Sequence, residues 1–214
     1  MRPALQTAWH TCGGHKLIVL LPGAYMKPDD FRAAGFFAAA ARRRGPDIVA
    51  VDLDPGLISD GSALSLLDAE VIAPARRQGY AAIWLGGISL GGLLALCYNA
   101  DAPAGVDGLC LLAPYPGSRL TRNAITRAGG LEAWEPDCKQ LDDPEFRMWR
   151  WLKRPPAAFP VFVGYGRDDR FADGMQQIAG CFPAASRLVV AGGHDWPVWL
   201  DLWENFLDRG YLAA

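Results

Sequence analysis

The chain has 214 residues, 51% of them hydrophobic and 21% charged, which is enough to bury the core of one globular domain. Its formal net charge of -2 leaves no excess of lysine and arginine to neutralise phosphates, which argues against nucleic acid as the partner. The five cysteines include no C-x-x-C pair, and no histidine is placed so as to suggest a zinc cluster with them. We therefore expect reduced thiols and no metal site.

The first sixteen residues, MRPALQTAWHTCGGHK, contain no apolar run as long as the core of a signal peptide. We therefore expect no export, and the cysteine pattern favours a cytoplasmic protein. Residues 78–100 carry no charged side chain and are long enough to cross a membrane as a helix. Four glycines cluster at the centre of this segment, where they would weaken a spanning helix. The sequence therefore predicts no membrane span.

Short apolar runs alternate with longer segments of helical character along the chain. The predicted strands are residues 16–22, 46–54, 81–88, 106–115, 160–166 and 186–193. The predicted helices are residues 27–45, 62–79 with a disturbance at Pro74, 90–100, 173–182 and 196–212. Strands that are apolar on both faces and separated by helices are typical of a mostly parallel sheet with helices on both faces. The predicted fold class is therefore α/β, with three layers and one domain over residues 1–214.

One segment, residues 116–159, interrupts the alternation because it contains no clear strand. Three tryptophans lie in it: Trp134, Trp149 and Trp151. We predict that this segment is a cap or lid inserted into the domain. Its tryptophans either form an apolar lid or pack a cap helix onto the body of the domain, and packing is the more common role.

The strand over residues 81–88 runs into Gly87-Ile88-Ser89-Leu90-Gly91, which matches the G-x-S-x-G pattern of a nucleophile elbow. In so sharp a turn, a larger side chain at either glycine would clash with the neighbouring backbone. The turn exposes the serine hydroxyl above the sheet and directs the first N–H groups of the next helix towards it. The pattern predicts Ser89 as a nucleophile. The segment lacks the G-x-G-x-x-G pattern of a nucleotide-binding Rossmann domain.

A serine nucleophile needs a base, and the base needs an acid to orient it. Two of the three histidines, His10 and His15, precede the first predicted strand. His194 follows the last strand, at the sheet edge where the serine emerges, and is the predicted base. The acid is Asp168 or Asp169, which follow the strand over residues 160–166. Because neighbouring side chains point apart, only one of the two reaches the histidine.

These residues resemble the α/β-hydrolase fold family over nearly the whole chain, from Lys16 to the C-terminal helix. The order serine, acid, histidine is the order of that family. The family's acid commonly stands in G-x-x-D, with an apolar residue two positions later, and residues 166–171, GRDDRF, fit this pattern with Asp169 as the acid. The family's histidine commonly follows a glycine, as His194 follows Gly193 here.

The resemblance also implies an oxyanion hole built from two backbone N–H groups. One belongs to Leu90, which follows the nucleophile. The other belongs by position to Ala24, in the loop after the strand over residues 16–22. The family often has His-Gly at the start of this loop, whereas this sequence has Pro22-Gly23. Tyr25 is therefore a second candidate donor, or a wall of the pocket.

The family implies a serine hydrolase that cleaves a small carboxylic ester or thioester through an acyl-serine, with no metal or organic cofactor. Serine rather than aspartate at the elbow argues against haloalkane or epoxide chemistry. Tyr25, Met26 and Trp196 flank the predicted site and are candidate substrate-binding residues. Two alternatives stay open: an acyltransferase that passes the acyl group to an alcohol or amine, and a non-catalytic binding protein with the same fold.

Overall fold

A computed structural model describes residues 5–59, 61–102 and 104–212. One sheet contains seven strands: β1 (Thr7–His10), β2 (Lys16–Leu21), β3 (Asp47–Val51), β4 (Ala82–Ile88), β5 (Gly108–Leu112), β6 (Val161–Gly166) and β7 (Arg187–Val190). Their spatial order is β1-β3-β2-β4-β5-β6-β7. β1 pairs antiparallel with β3, and the other pairs are parallel. The predicted α/β fold with a mostly parallel sheet is confirmed.

Within the described residues, ten α-helices accompany the sheet: α1 (Pro28–Ala33), α2 (Phe36–Arg42), α3 (Pro55–Ser59), α4 (Ala63–Leu67), α5 (Ala73–Arg77), α6 (Leu90–Asp101), α7 (Arg119–Arg127), α8 (Pro144–Leu152), α9 (Ala172–Gly180) and α10 (Trp196–Asp208). A π-helical turn, Asp68–Ile72, joins α4 to α5, and two 3-10 turns cover Gln140–Asp142 and Ala184–Ser186. In the described part of the chain, no helix has both the length and the apolarity that crossing a bilayer requires.

The central strands are apolar because both of their faces are covered. Every residue of β3, β5 and β6 is buried, which is the pattern of parallel strands between two helical layers. β1 alternates between exposed and buried residues. Its four residues are too short a run for the sequence pattern to predict a strand, and β1 takes its place through pairing with β3.

The predicted helices over residues 27–45 and 62–79 are each divided in the structure. Gly35, with φ of 89°, separates α1 from α2, a left-handed conformation that glycine adopts without a steric penalty. The break allows Phe31 and Phe36 both to be buried, with their rings in edge-to-face contact at 5.3 Å. In the second helix, the π-helical turn lies directly before α5, whose second residue is Pro74. Proline has no N–H to continue an α-helical ladder.

The segment over residues 116–159 contains α7 and α8, and its tryptophans pack onto the body of the protein. Trp134 and Trp149 are 2% and 1% exposed. The Trp149 indole N–H donates to the carbonyl of Pro116 at 3.3 Å. The Trp151 ring contacts Phe159 and Phe182. Packing, rather than an open apolar lid, is the role that the structure gives to these rings, and a cap function of the segment stays a prediction.

A buried carboxylate ties together the amino ends of the strands. Asp47, at the start of β3, is 4% exposed. Its Oδ1 accepts from the backbone N–H groups of Cys12 at 2.6 Å and Gly14 at 3.3 Å, and its Oδ2 accepts from the Tyr80 hydroxyl at 2.7 Å. These bonds anchor the loops before β2 and β4. Burial, followed by the bond to Asp47, raises the pKa of Tyr80 to about 12.

This raised pKa predicts a loss of stability at alkaline pH. An unfolded tyrosine ionises near pH 10, so below that pH the contribution of neutral Tyr80 is fully present, and it is lost as the pH rises towards about 12. We expect the free energy of unfolding of the wild type, relative to Tyr80→Phe, to fall between about pH 10 and about pH 12. Urea denaturation of both proteins measures this difference. A difference that does not change with pH would contradict the linkage.

Candidate active site

Ser89 occupies the turn between β4, near the middle of the sheet, and α6. Its backbone has φ of 52° and ψ of -112°, a region that a residue with a side chain rarely adopts and that surrounding structure must enforce. Three backbone hydrogen bonds hold it there. The Ser89 N–H donates to the Leu112 carbonyl at 3.1 Å, and its carbonyl accepts from Leu93 at 3.1 Å and Tyr115 at 2.9 Å.

The glycines on either side of Ser89 are required by the closeness of the backbone. A Cβ atom on Gly87 would lie 2.2 Å from the carbonyl carbon of Gly91. A Cβ on Gly91 would lie 2.1 Å from the carbonyl oxygen of Leu21, at the end of β2. Both obstacles are backbone atoms, which cannot rotate away as a side chain can. The steric argument for the G-x-S-x-G pattern therefore applies to the observed turn.

The structure brings together the side chains of Ser89, His194 and Asp169. The Ser89 Oγ lies 2.9 Å from His194 Nε2, and His194 Nδ1 lies 2.5 Å from Asp169 Oδ2. The Asp169 side chain has no exposed surface, whereas that of His194 is 15% exposed. Two hydrogen bonds therefore connect a hydroxyl, an imidazole and a buried carboxylate in one line.

The two loops that carry the acid and the histidine are bonded to each other. Asp168 donates its N–H to the Gly192 carbonyl at 3.0 Å, and its carboxylate accepts from the Gly192 N–H at 3.0 Å. A Cβ on Gly166 would lie 2.2 Å from the Gly192 carbonyl oxygen, so glycine permits this close approach. The exposed Asp168 thus holds the histidine loop, while its neighbour Asp169 reaches the imidazole.

Aromatic rings surround the imidazole on two sides. Phe171 and Trp199 each make an edge-to-face contact with His194, with ring centroids 5.5 Å and 5.1 Å away. The Phe171 N–H also donates to Asp169 Oδ1 at 2.9 Å. Together these contacts restrict both the imidazole and the carboxylate. The sequence analysis included Phe171 only as part of the acid motif, and it missed Trp199. The position of Trp199 on the helix that follows His194 could have indicated a contact with the imidazole.

The loop after β2 makes a tight turn beside Ser89. The N–H of Met26 donates to the Gly23 carbonyl at 3.2 Å, and the Gly23 N–H points at the Met26 sulfur at 3.2 Å. Tyr25 has φ of 65° and is 98% exposed. Leu90 is the first residue of α6, so its N–H has no acceptor within the helix. The oxyanion roles of Ala24 and Leu90 stay predictions.

A cavity of about 420 Å³ lies between this loop and the segment after β3. Four predicted site residues line it: Ala24, Tyr25, Met26 and Leu90. Its wall also includes the ion pair between Lys27 Nζ and Asp52 Oδ2, at 2.8 Å. The sequence analysis missed this pair and the short helix α3. Their positions beyond the carboxyl ends of parallel strands could have indicated a part in the site, because ligand sites form at this edge of a sheet.

Trp196 occupies a different place from the other predicted substrate-binding residues. Its ring lies in an aromatic cluster, with edge-to-face contacts to Phe31, Phe36 and Trp199. Trp199 in turn contacts His194. Trp196 therefore lies one ring away from the histidine, and its part in binding substrate stays a prediction.

Comparison with known proteins identifies the family. A family model described as the alpha/beta hydrolase family matches residues 18–212, and the chain belongs to this family. No curated protein matches the sequence.

The fold is also similar to solved structures. One is a thermophilic esterase from Thermogutta terrifontis, at 16% identity and a TM-score of 0.61, covering 97% of this chain and 93% of that one. A monoacylglycerol lipase from Paleococcus ferrophilus has 15% identity and a TM-score of 0.62, covering 97% and 98%. An S-formylglutathione hydrolase from Staphylococcus aureus has 11% identity and a TM-score of 0.60, also covering 97% and 98%. At these identities, the similarity is one of fold.

The packing at the elbow predicts that Gly91→Ala destabilises the protein. Because the added Cβ meets the backbone of β2, we expect a loss of at least about 2 kcal/mol in the free energy of unfolding. Gly180→Ala is the matched control, since a Cβ at the end of α9 meets no atom within 4 Å. It is expected to be neutral or stabilising by up to about 1 kcal/mol. Equal stabilities of the two variants in denaturant unfolding would contradict the steric argument.

Proposed function

We propose that this protein is a serine hydrolase that cleaves a carboxylic ester or thioester through an acyl-serine intermediate. The observation that carries the proposal is the line of hydrogen bonds from Ser89 through His194 to the buried Asp169. The fold adds support, since the similar solved structures are named as an esterase, a monoacylglycerol lipase and an S-formylglutathione hydrolase.

The direction of proton transfer follows from the hydrogen bonds. An ionised carboxylate only accepts, so His194 Nδ1 donates to Asp169 and the neutral imidazole keeps its lone pair on Nε2. Nε2 is then the acceptor for the Ser89 hydroxyl proton. The acid thus selects the tautomer in which the imidazole acts as a general base, and it stabilises the imidazolium that forms.

In the first half of the reaction, Ser89 Oγ forms a bond to the acyl carbon as its proton passes to His194 Nε2. The carbonyl oxygen becomes an oxyanion, which the N–H groups of Leu90 and Ala24 stabilise by hydrogen bonding. The positive end of the α6 dipole adds to this stabilisation. The bond to the leaving group then breaks, and the proton on Nε2 moves to the departing oxygen or sulfur.

In the second half, a water molecule takes the place of the leaving group. His194 Nε2 accepts a proton from this water as its oxygen attacks the acyl carbon of the acyl-serine. The second tetrahedral intermediate uses the same two N–H donors. It collapses when the bond to Ser89 breaks and the proton returns from Nε2 to the serine oxygen, which releases the carboxylic acid and restores the enzyme.

The nucleophile is tested by treatment with a fluorophosphonate and measurement of intact mass. We expect one adduct on the wild type and none on Ser89→Ala, because the activated hydroxyl provides the attacking oxygen. Hydrolysis of p-nitrophenyl acetate is expected to fall by at least about 10³-fold in the same variant. Full activity in Ser89→Ala would show that another group attacks the ester.

The acid is tested by comparing Asp169→Asn with Asp168→Asn. An amide at position 169 favours the wrong imidazole tautomer, so we expect kcat to fall on the order of 10⁴-fold. Asparagine at position 168 keeps an oxygen that can accept from the Gly192 N–H, so we expect a loss of less than about tenfold. A larger loss in Asp168→Asn than in Asp169→Asn would reverse the assignment.

A further inference from the structure

A second and larger cavity lies on the outer side of α6. It is a groove of about 630 Å³, with α6 as its floor. Residues of α3, α4 and the π-helical turn form one wall, and the start of α8 forms the other. No step of the proposed mechanism uses this groove.

The groove adjoins the cavity beside the loop after β2. Ile58 and Leu90 line both cavities. Leu90 is also the residue whose N–H is proposed to hold the oxyanion. The two cavities therefore adjoin at these two side chains, and a group attached to the reacting carbonyl would enter the groove past them.

The half of the groove next to the cleft is apolar. Its floor is formed by Leu90, Leu93, Leu94 and Cys97, which recur at the spacing of one helix face. Leu64 faces them from α4. This half offers a substrate contact with hydrocarbon and few polar groups to desolvate.

The far half of the groove is closed by polar side chains that bond to one another. The Tyr98 hydroxyl donates to Asp68 Oδ1 at 2.6 Å. The Arg147 guanidinium makes two bonds to the carboxylate of Asp101, at 2.6 Å and 2.8 Å. A hydrocarbon chain that reached these pairs would displace water from charged groups without replacing its hydrogen bonds. The apolar half therefore has a defined end.

We propose that the groove along α6 binds the acyl chain of the substrate and selects unbranched, medium-length chains. This inference rests on the proposed function, which supplies an acyl group at Ser89. From Leu90 to Cys97 the helix advances seven residues, or about 10 Å at its rise of about 1.5 Å per residue. A zigzag chain with carbon–carbon bonds of about 1.5 Å spans this length with about eight carbons.

The length preference is tested with p-nitrophenyl esters from acetate to dodecanoate, each below its micelle concentration. We expect kcat/KM to rise roughly two- to fourfold with each added methylene, as hydrocarbon leaves water. The rise is expected to stop near octanoate, where the chain meets the polar pairs. A flat series, or one that rises steadily to dodecanoate, would overturn the inference.

The location is tested with Ser65→Trp. Ser65 is an exposed residue of α4 that lines the groove, so an indole at this position is expected to occupy part of the groove volume. We expect the ratio of kcat/KM for octanoate to that for acetate to fall at least about tenfold. Ala69→Trp is the matched control, since Ala69 is exposed on the same segment and is not part of the groove wall. Its ratio is expected to stay at the wild-type value.

A binding measurement separates failure of this inference from failure of the proposed function. Sodium octanoate is expected to raise the Tm of the wild type and of Ala69→Trp, but not that of Ser65→Trp, because only proteins with an open groove bind it. If no ester is cleaved but this pattern appears, the proposed function is wrong and the groove is still an acyl-chain site. If esters are cleaved and Ser65→Trp binds octanoate like the wild type, the chain does not lie in this groove.

Discussion

The candidate site depends on one steric constraint, the close approach of three backbone segments around Ser89. The end of β2, the end of β4 and the first turn of α6 meet so closely that a single methyl group on Gly87 or Gly91 would overlap main-chain atoms. This closeness holds Ser89 at φ of 52° and aims its hydroxyl away from the sheet. A flexible loop would not hold a side chain in so unfavourable a conformation.

The same principle of rigid support applies to the proposed base, His194, and the proposed acid, Asp169. Both follow neighbouring parallel strands, β6 and β7, so their loops emerge at the same edge of the sheet as Ser89. Hydrogen bonds between Asp168 and Gly192 join the loops, and aromatic rings confine the imidazole. Backbone contacts thus position the loops of the proposed triad, and the hydrogen bonds among the three side chains complete the arrangement. At the opposite edge, Asp47 accepts hydrogen bonds from the loops before β2 and β4.

The substrate side of the site divides along α6. The first turn of this helix provides the proposed oxyanion donor, and its outer face provides the floor of the proposed acyl-chain groove. One helix would then serve both the chemistry and the choice of substrate. The polar pairs at its far end, Tyr98 with Asp68 and Arg147 with Asp101, also join α6 to the π-helical turn and to α8, so a limit on chain length would come from contacts between neighbouring elements of the fold.

The sequence by itself determined the fold class, because parallel strands covered on both faces must be apolar runs separated by helices. It also marked the elbow, the histidine and the pair of candidate acids, since each follows a strand at a glycine-rich turn.

The sequence missed β1, the breaks in the predicted helices at Gly35 and before Pro74, and the helix α3. Those depend on pairing and packing with distant residues. The family motif favoured Asp169 over Asp168, and the tertiary structure shows that Asp169 meets His194. Only the tertiary structure decided that Trp196 contacts Trp199 rather than His194 and that a groove opens along α6. Each is a relation between segments far apart in the chain, which local patterns do not encode.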